Sequence, residues 1–199
     1  MDAPGVTVRT LVDITGGAHF NEVFLEGVEL DDDAILGELN DGWRVSQGTL
    51  GGERSGYMGG SGGGRRHRQV IDAATRAGKL ADPTVRQEMM RVVTAERILQ
   101  WTRDRYADGS LCGGNPAAGS MMKLAGGSLE QQCAELVANV SGAAAQAWDT
   151  PSLQGADADG DIPAHDLAAT RQARIAGGTH QIQRNLLGER VLGLPREPR

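Results

Sequence analysis

The hydrophobic period of this chain changes once, near residue 42, and that change limits the fold more than any other feature of its 199 residues. Before it, Val6, Val8, Leu11 and Val12 lie in an extended pattern. The run Ala18-His19-Phe20-Asn21-Glu22-Val23-Phe24-Leu25 alternates apolar with polar residues, the spacing of a β-strand. Gly16-Gly17 and Glu26-Gly27 supply turns, and a third short strand is expected at Val28 to Leu30, ahead of Asp31-Asp32-Asp33. Two or three strands cannot bury a face by themselves, so this part reads as the end of a larger sheet.

From Gly42 onward the apolar residues recur at helical spacing. Trp43 to about Lys79 reads as one long helix, weakened by the glycine run at 59–64. Pro83 suits the first turn of a second helix, where its missing N–H does no harm. Val85, Met89, Val92, Val93, Ile98 and Leu99 form that helix's apolar stripe as far as Tyr106. A third helix is expected from about Ala117 to Trp148, burying Met121, Leu124, Leu129, Cys133, Leu136, Val137 and Val140. A loop from Pro151 to Pro163, a short helix over Ala164 to Ala176 and a capped terminal helix complete the chain. The expectation is an α+β fragment, mainly α, with the end of a β domain at 1–41 and a helical bundle at 42–199.

A net charge of −6 gives no broad basic surface and argues against a nucleic-acid binder. The cluster Arg65-Arg66-His67-Arg68 is short and reads as a solvated helix face. Cys112 and Cys133 lack Cys-x-x-Cys spacing, so a reduced, cytoplasmic setting is expected. No leader, membrane-length apolar run or metal site is expected from the sequence. Asp157-Ala158-Asp159-Gly160-Asp161 resembles a calcium loop, but its glycine comes too early and no Glu closes it. The glycine run at 59–64 lacks the Lys-Ser/Thr ending of a phosphate loop.

Two places invite chemistry. Glu53 lies in Thr49-Leu50-Gly51-Gly52-Glu53-Arg54-Ser55-Gly56, where small residues leave room for something to approach the backbone. A solvent-facing Glu–Arg pair explains the same residues. The second place is Arg174-Ile175-Ala176-Gly177-Gly178-Thr179-His180-Gln181-Ile182-Gln183-Arg184-Asn185, continuing through Leu186, Leu187 and Val191. Small residues break the chain, Thr179 caps a new helix, and Ile182, Leu186, Leu187 and Val191 recur as its apolar stripe. Unpaired N–H groups at such a start suit an anion such as a pyrophosphate, although an ordinary capped helix looks the same.

The wording of this last run resembles the closing signature of the acyl-CoA dehydrogenase flavoenzymes, a Gly-Thr-x-x-Ile-Gln-Arg helix. Three further segments are similar to the same family in the same order. They are His19-Phe20-Asn21-Glu22-Val23-Phe24 at the exit of its β domain, Ile35-Leu36-Gly37-Glu38 with Asn40-Asp41-Gly42-Trp43 at the linker, and Ser120-Met121-Met122-Lys123-Leu124 with Glu130-Gln131-Gln132. The resemblance implies the last strands of the middle β domain followed by the C-terminal four-helix bundle. It also implies FAD-dependent α,β-dehydrogenation of an acyl-CoA thioester, in which a carboxylate takes the α-proton and the β-hydrogen leaves as hydride to the flavin. Many members place the base immediately before the terminal Gly-Thr, where this chain has Gly177. Others carry it on the first bundle helix, at the position matched by Glu53. The resemblance thus assigns Glu53 as base, Arg54 as a substrate-side or helix-anchoring residue, and Thr179 and Gln181 as contacts to FAD. An electron-transfer flavoprotein and an oligomeric assembly are the implied partners. The family's Gln-x-x-Gly-Gly-x-Gly flavin loop is replaced by Ala138-Asn139-Val140-Ser141-Gly142-Ala143-Ala144, and its Arg-x-x-Phe-Gly segment is not found near Gly78 to Pro83. These departures support a rival expectation, a non-catalytic helical subunit that assembles with a chain carrying the rest of the flavin site.

Overall fold

A computed structural model of the chain describes residues 2–58, 66–146 and 163–196, with the backbone alone described at 51–58. The described residues divide into two compact units with their boundary at Gly51 and Gly52.

The first unit holds an antiparallel hairpin, β1 (Val6–Leu11) and β2 (Phe20–Leu25), in a register that runs from Val6 opposite Leu25 to Leu11 opposite Phe20. Its connection is tied by Asp13, whose carboxylate accepts from the Thr15 N–H at 2.8 Å and from the Thr15 hydroxyl at 2.5 Å. These bonds, the hydroxyl's first, hold the Asp13 carboxyl below the usual carboxylate range. Alternation puts Val8 and Val23 on one face and Leu11, Phe20 and Phe24 on the other, and all five are exposed. Arg9 lies over the Phe24 ring at 5.0 Å. The third strand expected at Val28 to Leu30 does not form. Gly27 turns the chain with φ +60, and a single 3-10 turn follows at Asp32–Ala34.

Past the linker runs α1 (Gly42–Met58), where the Asp41 carboxylate accepts from Arg44 Nε one turn on. The long helix expected from Trp43 to Lys79 is seen as α1 and α2 (Arg66–Arg76), and residues 59–65 lie outside the described residues. Lys79 is not helical, because Gly78 at φ +66 ends the run.

In the second unit α4 (Gly119–Ser141) is the common neighbour: α2, α3 (Pro83–Ala107), α5 (Pro163–Ala169) and α6 (His180–Arg190) all pack against it. Its core joins Val70, Ala73 and Ala74 of α2 to Val92 and Leu99 of α3, and to Met122, Leu129, Cys133, Val137 and Val140 of α4. The alanines of α2 let it lie close to its neighbours. Helix α3 starts as its sequence dictates, with Pro83 in the first turn and the Asp82 carboxylate accepting from the N–H groups of Thr84 and Val85 at 2.8 and 3.2 Å. Helix α4 stops at Gly142, φ +62, short of Trp148, and Lys79 Nζ donates to the Val140 carbonyl there at 2.8 Å. Residues 164–176, expected as one helix, are α5 followed by a 3-10 turn at Gln172–Arg174. Ile98 of the expected stripe is exposed, on the side of α3 away from the core.

The basic cluster is not a free helix face. Arg66 pairs with Glu130 at 3.3 Å, and the Glu96 carboxylate of α3 caps α2 from outside. It accepts from the N–H groups of Arg66 and His67 at 3.2 and 3.1 Å and meets His67 Nδ1 at 2.6 Å. Burial works against the Glu96 charge, but the hydrogen bonds from the His67 ring and the two N–H groups win and lower its pKa. Cys112 is exposed, whereas Cys133 is buried with its thiol on the Arg66 carbonyl at 3.4 Å. Among the described residues no cluster of His, Cys, Asp and Glu can hold a metal, and no helix is long and apolar enough to cross a membrane. The acidic run at 157–161 lies outside the described residues.

Candidate functional site at the start of the last helix

The approach to α6 bends through Gly177 and Gly178, with φ +66 and +95. Both values lie in the region that L side chains resist. A glutamate at position 177 would be strained in this conformation. Thr179 then caps the helix, its hydroxyl oxygen accepting from the Ile182 N–H at 3.3 Å. Gln183 reaches back from the second turn and donates to the Gly177 carbonyl at 2.9 Å. A Cβ at 178 would lie 2.7 Å from Gln183 Nε2, so glycine is needed both for its φ and for the room.

The buried face of α6 differs from the expected one. Ile182 is 51% exposed, and Leu186, Leu187 and Val191 are half-buried, whereas His180 and Gln183 are each 1% exposed. The cause lies on α4. Gly127 has no side chain, and an added Cβ would meet the Ala173 carbonyl oxygen at 2.6 Å and His180 Nε2 at 2.9 Å. The His180 ring therefore fills the space that Gly127 leaves. Both ring nitrogens, and Lys123 Nζ one turn before Gly127, are buried without a hydrogen-bond partner among the described residues. Burial, then the charges of Lys123, Arg174 and Arg184, pushes the His180 pKa down, and burial pushes that of Lys123 down. Arg174 is held on Gln131 Oε1 at 3.1 Å.

Of the residues expected at the site, Thr179 caps α6 and Gln181 stands exposed on its first turn. Glu53 and Arg54 belong to the backbone of α1, and their side chains lie outside the described residues. A capped helix start with an exposed amide side chain and a bare diglycine bend suits an anionic group such as the phosphates of a dinucleotide. Sequence reasoning missed His180 and Gln183 because it assigns polar residues to solvent. The available signal was the Gly126-Gly127 pair inside α4, which marks a close approach.

These features lie on a mainly helical fold in which α4 is the common neighbour of α2, α3, α5 and α6. The family described as acyl-CoA dehydrogenase, C-terminal domain, matches residues 40–192. The acyl-CoA dehydrogenase IpdE1 of Mycobacterium tuberculosis is 34% identical over 202 residues, covering 99% of this chain and 50% of that protein. Its counterpart in Mycolicibacterium smegmatis is 32% identical, with 99% and 48% covered. Among solved structures, the Tcur3481-Tcur3483 steroid ACAD superimposes with a TM-score of 0.79 at 19% identity, over 98% of this chain and 50% of that one. The ChsE4-ChsE5 complex from Mycobacterium tuberculosis gives 0.73 at 22% identity, over 98% of this chain and 52% of that one. The chain belongs to the acyl-CoA dehydrogenase family. It spans about half the length of the curated relatives named here.

Proposed function

We propose that this chain forms the C-terminal part of an FAD-dependent acyl-CoA dehydrogenase, an oxidoreductase that introduces an α,β double bond into an acyl-CoA thioester. The observation that carries the reading is the start of α6, where Thr179 and Gln181 stand at a capped helix N-terminus preceded by a diglycine bend. Thr179 and Gln181 would hold FAD, which when bound supplies the two-electron acceptor. Glu53 serves as general base: its carboxylate, ionised at working pH, takes the α-proton. Arg54 orients the thioester or anchors the helix that carries the base. Gly177, lacking a side chain, leaves the opposite wall clear. The name of the steroid ACAD relative favours a bulky polycyclic acyl group over a short chain. An electron-transfer flavoprotein accepts the electrons, and the working form is an oligomer.

In an assembly containing the complete flavin site, Glu53→Gln is expected to retain FAD and lower thioester-dependent bleaching of the flavin by about 10²–10⁴-fold. Unchanged bleaching would remove Glu53 from the chemistry. One observation favours a second reading, a subunit that completes its flavin site with another polypeptide. Both faces of the hairpin carry exposed apolar residues. A purified chain that binds FAD by itself argues against that reading; uptake only in the presence of a second polypeptide supports it.

A further inference from the structure

The environment of His180 is not explained by anything the dehydrogenase reading requires. A buried imidazole normally hydrogen-bonds through at least one nitrogen, and the desolvation of an unpaired one is costly. Here the ring is 1% exposed and neither nitrogen has a partner among the described residues. The charged groups that act on it are Lys123 from α4, Arg174 from the 3-10 turn and Arg184 from α6 itself. All three are cations. The ring sits at the first residue of an eleven-residue helix, in the gap left by Gly127, directly between Thr179 and Gln181.

We propose that His180 is a positioning residue whose neutral ring seats the N-terminus of α6 on α4, so that protonation of the ring undocks α6 and withdraws Thr179 and Gln181 from their ligand. Two parts of this can be separated. The undocking stands on the geometry alone, whereas the withdrawal from a ligand rests on the flavin role proposed above for Thr179 and Gln181. Protonation puts a charge on a buried ring whose charged neighbours, the half-buried Lys123 and the exposed Arg174 and Arg184, are all cations, and the helix N-terminus opposes it further. The sign follows. A histidine that the docked state keeps neutral contributes its full docking free energy above the ordinary imidazole value of 6.5, and that contribution is lost as pH falls below it.

Hydrogen exchange of the α6 amides in the 199-residue chain tests the first part without any flavin. After correction for intrinsic exchange, protection of α6 is expected to fall about tenfold per pH unit below about 6.5, while α3 stays protected. His180→Gln, which cannot take up the proton, is expected to give a flat profile. Should that variant fail to fold, the imidazole resonances of His180 in the wild-type chain decide. A neutral ring in the docked state, with the protonated signal appearing only as α6 opens, supports the proposal. A ring that protonates while α6 remains protected overturns it, as does a flat wild-type profile. FAD retention across the same pH range tests the second part. pH-dependent undocking without FAD binding would sink the flavin role and leave His180 in place; pH-independent FAD binding with a flat α6 profile would do the reverse.

Discussion

His67 and His180 occupy the same station, the first turn of a helix packed on α4, in opposite surroundings. His67 is half-buried and meets Glu96, which also caps the helix through the N–H groups of Arg66 and His67. His180 is fully buried beside three cations and meets no carboxylate. The first helix start is held from outside by a charge on α3; the second is held by its own Thr179 and by Gln183 folding back on the bend. The difference teaches that a helix N-terminus, a site that favours negative charge, tolerates histidine in two ways. Either a carboxylate comes with it, or the ring stays neutral and acts as packing.

Removing the carboxylate breaks the comparison most severely. Glu96→Ala deprives α2 of both backbone caps and His67 of its partner, in a side chain only 11% exposed. A lost charge-assisted cap of this kind costs about 2–3 kcal/mol, read as a lower urea midpoint with an unchanged slope. Because the folded state lowers the Glu96 pKa, its contribution is complete above its ordinary value of 4.5 and disappears as pH falls through the lowered one. The variant should therefore lose part of the acid dependence that the wild type shows below about pH 4.5. A variant as acid-sensitive as the wild type would mean that Glu96 carries none of it.

A smaller change at the other end tests whether His180 acts as packing. Gly127→Ala improves helix propensity by about 1 kcal/mol. It also puts a Cβ 2.6 Å from the Ala173 carbonyl oxygen and 2.9 Å from His180 Nε2. The ring can swing; the backbone carbonyl cannot, so overpacking of about 2–3 kcal/mol outweighs the gain. A net loss of about 1–2 kcal/mol is expected, with the exchange of α6 amides rising before that of α3. A stabilised variant would show that the 3-10 turn at Gln172–Arg174 does not press on Gly127.

How much of this was legible in the sequence depended on whether a residue's partner was local. Pro83 in the first turn of α3, and Thr179 before its helix, were readable because such signals act within three residues of a helix start. The hairpin was readable from alternation, and the break at Gly142 was not, since nothing in the apolar period separates a helix end from a continuation into a 3-10 turn. Glu96 as a cap for α2 lies about thirty positions from the groups it serves, beyond any local rule. The buried face of α6 was misassigned for the same reason. Ile182 has the right spacing, but the vacancy at Gly127 selects His180, and that vacancy sits on another helix.

The mildest test sharpens the comparison at its weaker pole. His67→Ala removes the ring that meets Glu96 at 2.6 Å but leaves the N–H groups of residues 66 and 67 on the same carboxylate. The ring is about one-third exposed, so solvent replaces much of what it loses. The expected cost is about 0.5 kcal/mol, measured as a small drop in thermal midpoint at neutral pH. Alanine at the equivalent station of α6 would instead leave a cavity beside Gly127 and cost several times more. If the two alanine variants lose the same stability, the division between a charge-held and a packing-held helix start is wrong.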